Sequence, residues 1–258
     1  MVDPFRSAHL KIDRAKHHIE DLRRGVVGIN TKDSYEVVIK ADPQPGYNVH
    51  KFRLRRPIPF DWFSVVYGDA VSNLRAALDH AVYACAVIDG HIDPKFRACS
   101  FPFASNETFF NKELDKRVAI PKEIKTLLGT FCAYEAGHFG LWALNEMCNR
   151  DKHALITPVL MGFDHISVHV HADNEAAVEP PANPLWDSVK NQIDLFRTKG
   201  DPKYDFAVSL NIAFDRPRGI AGHPVDAMLY GFLAIVESIV ATIKDEARRI
   251  RPSAFVLS

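Results

Sequence analysis

Apolar residues near the start of the chain fall at Phe5, Leu10, Ile12, Ala15, Ile19 and Leu22 among many charges. This spacing predicts an amphipathic helix over residues 5–24, opened by Asp3-Pro4. Two β-rich runs follow, SYEVVIKA at 34–41 and VHKFRLRR at 49–56, separated by DPQPGYN. The prolines and glycine between them predict a turn and an antiparallel pair. From 61 to 88 the period returns to three and four, with Phe63, Tyr67, Ala70, Val71, Leu74, Ala77, Leu78, Ala81, Cys85 and Ile88 on one arc. Asp61 suits the start of that helix and Asp89-Gly90 its end.

Beyond an irregular stretch at 91–120 that contains F-P-F at 101–103, the pattern predicts helices over 107–114, from Pro121 to 132, over 139–155 and over 224–249. Strands are predicted at 159–172 and 204–214, with the loop EPPANP between them. The fold class is therefore α+β and predominantly helical: a helix bundle with small antiparallel β-strand additions. No repeat, low-complexity tract or linker interrupts it. One domain over 1–258 is expected, with a helical core at 5–156 and 224–249, a β insert at 34–56 and β additions at 159–214.

Composition narrows the function classes. The 258 residues are 47% hydrophobic and 25% charged, an ordinary globular balance. Lysine plus arginine equals aspartate plus glutamate at 32 each, so no molecule-wide field gathers nucleic acid or anionic lipid. Any nucleic-acid site must be local. The first residues carry charges throughout and lack the apolar stretch of a secretion signal, which points to the cytoplasm. The apolar run from Met228 to Ile243 is broken by Glu237 and falls short of the ~20 residues that span a bilayer, so no membrane partner is expected. Cys85, Cys99, Cys132 and Cys148 form no C-x-x-C pair and read as reduced, mostly buried thiols. There is no G-x-S-x-G, phosphate-binding glycine loop or dinucleotide fingerprint.

The least ordinary chemistry lies on two predicted helices. On the long one, Arg75 and His80 sit roughly 140° apart, with Asp79, Ser72, Asp69 and Asn73 on the same polar side and Ala76 between them. In one reading this is an exposed face on which Arg75 pairs with Asp79 one turn later. In the other, His80 moves a proton at a ribose 2′-hydroxyl or leaving 5′-oxygen while Arg75 steadies the phosphorane, a ribonuclease chemistry that needs no cofactor or metal. A partner helix, from a second subunit, would complete the groove.

The segment LWALNEMCNRDKHALIT carries Asn149, Asp151 and His153, with Asp151 at the edge of an apolar arc and expected to be partly buried against Lys152, Arg75 or a backbone donor. These residues serve either as a structural network between helices or as a shell around Arg75 and His80. Alternate helical positions fan around the axis, so they make a poor metal site, and Gly137 undermines the E-x-x-H pair Glu135/His138. His165, His169 and His171 alternate on a strand as ligands or as an exposed face. Lys51, Arg53 and Arg55 also share a strand face, either as an RNA-binding row or as the charged face of an edge strand.

The segments GDAVSNLRAALDHAVYACA, FPF and LNEMCNRDKHALI together resemble a bacterial and phage family of largely uncharacterised proteins with D-x-x-x-N-L-R-S-A-L-D-H, F-P-I and N-x-D-K-H-R motifs. The likeness covers residues 5–156. The Arg75 to His80 spacing is also similar to the R-x-x-x-x-H signature of the HEPN superfamily, whose helical members include dimeric toxin and antiphage endoribonucleases. The resemblance implies Arg75 and His80 as catalytic, Asn73, Asp79, Asn149, Asp151 and His153 as supporting residues, RNA as partner and a homodimer. The chain departs from these patterns at Ala76, where a polar residue is usual, and at Ala154, where the family has arginine. The alternative is a non-catalytic ligand- or protein-binding module.

Overall fold

The computed structural model describes residues 3–91, 93–154, 158–170, 178–181, 186–187, 189–199, 204–214 and 219–255. Along the chain run α1 (Arg6–Ile29), β1 (Tyr35–Ala41), β2 (Tyr47–Leu54), α2 (Phe60–Ile88), α3 (Phe96–Cys99), α4 (Glu107–Asp115), α5 (Lys122–Thr130), α6 (Phe139–Asp151), β3 (Pro158–Val170), β4 (Val178–Glu179), β5 (Gln192–Lys199), β6 (Tyr204–Phe214) and α7 (Val225–Ile250). The protein is α+β and predominantly helical, as its periodicity predicts.

These elements form two compact units, a helical one from Met1–Leu22, Asp61–Pro158 and Phe214–Ser258 and a sheet unit from Arg23–Phe60 and Val159–Ala213. The β insert and the β additions thus belong to the same unit.

In the helical unit, α1 buries Ile12, Ala15, Ile19 and Leu22, the positions its pattern marks as apolar, while Leu10 stays exposed. Along α2 the predicted arc from Phe63 to Cys85 is buried almost throughout. Gly90 ends the helix with φ +96°, a left-handed conformation open to glycine, and lets the His91 N–H donate to the Ala86 carbonyl. Helix α7, at 26 residues, is long and apolar enough to cross a membrane by length and composition, contrary to the shorter run expected. Its buried residues nevertheless recur as a stripe, Leu229, Phe232, Val236, Ile239, Val240 and Ile243, and Glu237 pairs with Lys16 of α1 at 2.7 Å.

In the sheet unit the strand order is β1-β2-β5-β4, with β3 and β6 forming a separate two-stranded sheet. Strand β2 is therefore central, correcting the edge-strand expectation. Strand β5 carries no clean alternation. Its Leu195 is an extra residue, because His50 faces Phe196 while the next residue, Lys51, faces Asp194. The bulge reverses the phase from Ile193 and Leu195 to Phe196 and Thr198, all buried, which hides the strand from a period-two reading.

Candidate functional site: an arginine network and its pocket

In the helical unit the apolar arc of α2 faces the core, which leaves Arg75, Asp79 and His80 on its flank. Arg75 does not project freely. Its Nε donates to Asn145 Oδ1 of α6 at 3.0 Å, and its guanidinium donates to Asp79 Oδ2 at 3.1 Å. The guanidinium carbon also stands 5.3 Å from the centre of the Phe103 ring, and the side chain is 20% exposed.

Asp79 is buried and uses its second oxygen, Oδ1, to accept the Phe101 backbone N–H at 3.0 Å. Burial raises its carboxyl above the usual value, opposed first by Arg75 and then by the Phe101 hydrogen bond. One carboxylate thus ties the long helix to F-P-F, and one guanidinium ties it to α6.

The F-P-F segment has a second anchor. Arg117, 6% exposed, donates from Nε to the Ser100 carbonyl at 2.7 Å and from its guanidinium to the Phe101 carbonyl at 3.3 Å. It also reaches the Glu113 carbonyl at 2.8 Å and the Glu113 carboxylate at 3.0 Å. Nothing in the local sequence around Arg117 distinguishes it from the neighbouring Lys116. Its role is set by acceptors 4 to 20 residues away.

His80 lies apart from this network. It is half-buried and makes no hydrogen bond among the described residues. Burial and then the nearby Lys11 hold its imidazole below the usual value, with Asp79 opposing. The Lys11 amine donates to Asn73 Oδ1 at 3.3 Å, and the Asn73 amide donates to the Asp69 carbonyl of its own helix. Asn73 therefore faces α1, whereas Arg75 faces α6.

Asp151 is half-buried, as expected, but no Arg75 or Lys152 bond holds it. Its carboxylate lies on the backbone of Gly68, where a Cβ would overlap it. Burial raises its pKa and the like charge of Asp69 adds to the effect. The Tyr67 hydroxyl nearby is fully buried without a hydrogen-bond partner among the described residues, and burial followed by the Asp151 charge pushes it well above its usual pKa. Helix α6 ends at Asp151, earlier than the predicted 155, so His153 stands beyond it and is exposed. Asn149 is exposed too, on the last turn.

A cavity of about 440 Å³ opens beside the network. Arg75, Arg97, Lys116, Arg117, Asn145 and Asn149 line it, with Glu113 and the Phe101 and Phe103 rings. His80, Asp151 and His153 are not among its walls.

The three strand cations belong to the sheet unit and are each engaged. Lys51 pairs with Asp194 across β5 at 2.5 Å, Arg53 reaches Glu36 and Gln192, and Arg55 donates to the Tyr35 carbonyl. The neighbouring His50, which the sequence reading passed over, is buried and bonds the Tyr204 and Thr198 hydroxyls at 2.6 and 2.7 Å.

No family profile, characterised protein or solved structure matches this chain. Any assignment rests on the geometry. Among the described residues no three His, Cys, Asp or Glu side chains gather to hold a metal. His138 caps α6 by accepting the Leu141 N–H at 3.3 Å. His165 and His169 lie in β3, and His171 lies outside the described residues. The four cysteines are free thiols, and burial pushes that of Cys85 up to about 12.

Proposed function

We propose that the chain is a non-catalytic ligand-binding module in which the Arg75, Asp79 and Asn145 network is structural. The observation that carries this reading is the commitment of Arg75: two of its nitrogens are bound to groups of its own fold, and its cavity does not include His80. A phosphorane stabiliser must turn its donors toward the reacting phosphate, within reach of the proton-transfer group. Here the guanidinium joins helices instead.

The test pairs stability with chemistry. Asp79→Ala leaves the Arg75 guanidinium and the Phe101 N–H without their acceptor, so a loss of about 2–4 kcal/mol in unfolding free energy is expected by denaturant titration. Wild-type protein incubated with labelled single-stranded and structured RNA in EDTA is expected to leave both intact. A fully stable Asp79→Ala variant overturns the structural role.

A second reading has its own support in His80. An imidazole held below its usual pKa, with no hydrogen bond among the described residues, is available in the neutral form as a proton acceptor. On that reading the chain is a HEPN-like, metal-independent endoribonuclease or RNA-binding protein of toxin or defence type, acting as a cytoplasmic homodimer with Arg75 and His80 at its centre. RNA cleavage by wild type that disappears in a folded His80→Ala variant, with a dimer by light scattering, replaces the first reading with this one.

A further inference from the structure

The molecule as a whole is neutral, yet four cations converge on one cavity of the helical unit against a single lining carboxylate. The carboxylate is shared: Glu113 pairs with Lys116 through Oε1 and with Arg117 through Oε2. Asp79, behind the wall, takes one nitrogen of Arg75. Arg97 is exposed and makes no ion pair among the described residues. The rim therefore carries positive charge that the fold does not neutralise, in a molecule whose composition predicts none.

The donor chemistry is directional as well. Arg117 and Asn145 are buried at the back, where their positions are fixed by bonds to Ser100, Phe101 and Arg75. Asn145 spends its oxygen on Arg75, which leaves its amide N–H₂ as a donor beside the cavity. The Arg97 guanidinium, the Lys116 ammonium and the Asn145 amide offer donors that match the tetrahedral oxygens of a phosphate, and the Asn145 amide, held by its bond to Arg75, loses less entropy on binding than a free side chain. Phe103 adds an apolar wall beside Arg75. At about 440 Å³ the space suits a small organic molecule rather than a bare ion or a polymer.

We propose that this pocket binds a small phosphomonoester, its phosphate held at the Arg97, Lys116 and Asn145 side and its organic part against Phe103 and Asn149. The proposal rests on the binding-module reading and names the ligand class for it.

Isothermal titration calorimetry on the full chain tests it, with inorganic phosphate, 5′-AMP and adenosine as probes at matched ionic strength. Saturable binding is expected for AMP in the range of about 1 mM or tighter. Phosphate should bind more weakly, and adenosine not at all. Arg97→Ala, whose side chain makes no ion pair among the described residues, should weaken AMP about threefold to tenfold without changing the melting temperature. Asn149→Ala should weaken AMP but not phosphate. No saturation by phosphate or AMP at about 10 mM overturns the proposal, as does AMP binding that is unchanged in Arg97→Ala or equalled by adenosine. The RNA incubation decides the non-catalytic reading separately, so failure of one is not read as failure of the other.

Discussion

Single side chains in this protein are placed by the atoms they meet across the fold, and Gly68 shows how far this outweighs local preference. In the interior of a helix, glycine costs about 1 kcal/mol relative to alanine. At position 68 an alanine Cβ would overlap the Asp151 carboxylate. Gly68→Ala must push the half-buried Asp151 carboxylate aside, so it is expected to destabilise by about 1 kcal/mol despite its better propensity. In an Asp151→Ala background the same change should turn neutral or stabilising. Denaturant melts of the two single variants and the double variant check this, and additive effects would show that the carboxylate is not the obstacle.

Among elements, the F-P-F segment is the clearest case of irregular backbone held by side chains. It lies outside any regular sheet, so its carbonyls and N–H groups need partners from elsewhere. Arg117 supplies donors to the Ser100 and Phe101 carbonyls, and Asp79 accepts the Phe101 N–H. Arg117→Ala should cost about 2–3 kcal/mol, since it orphans buried carbonyls and leaves Glu113 less compensated. The Phe101 amide should then exchange with deuterium at least about tenfold faster, while amides in the middle of α7 keep their protection. Equal acceleration in both places would mean global destabilisation rather than release of this segment. Strand β5 makes the complementary point: its bulge at Leu195 lets Lys51 meet Asp194 while His50 stacks on Phe196 with ring centres 4.7 Å apart.

At the scale of the whole molecule, two partly or wholly buried imidazoles make the fold sensitive to acid. Burial, as the largest cause, depresses both His18 and His80 below the ordinary 6.5. A depressed folded pKa contributes stability that is present above the unfolded value and lost as pH falls through the folded one. Asp79 and Asp151 are raised by burial, so their contribution runs oppositely, present below the ordinary 3.8 and lost as pH rises through their folded values. As pH falls below the ordinary 6.5 of histidine the two imidazoles lose their contribution, and the melting temperature should fall over that window. His80→Gln should show a smaller fall over that window. A variant that falls as steeply as wild type would show that His80 is not one of the groups responsible.

Much of the architecture was legible along the chain because helical and strand periodicities are local. The core arc of α2, the stripe of α7 and the alternation of His50, Phe52 and Leu54 with Lys51 and Arg53 all follow from spacing alone. The Arg75–Asp79 pair one turn apart was likewise a local possibility that the fold uses. Partner choice across long separations was not legible. Asn145 is 70 residues from Arg75 and Phe101 is 22 from Asp79, and no periodicity encodes either bond. The placing of Arg117 and the isolation of His80 from the pocket depend on the same long-range packing. Residue spacing was enough to fix which faces of the helices and strands are apolar, because burial follows a repeating pattern of residue type. Tertiary structure alone decided which polar groups are satisfied within the fold and which are left at the cavity to meet a ligand, because that depends on what each donor finds once the helices have packed.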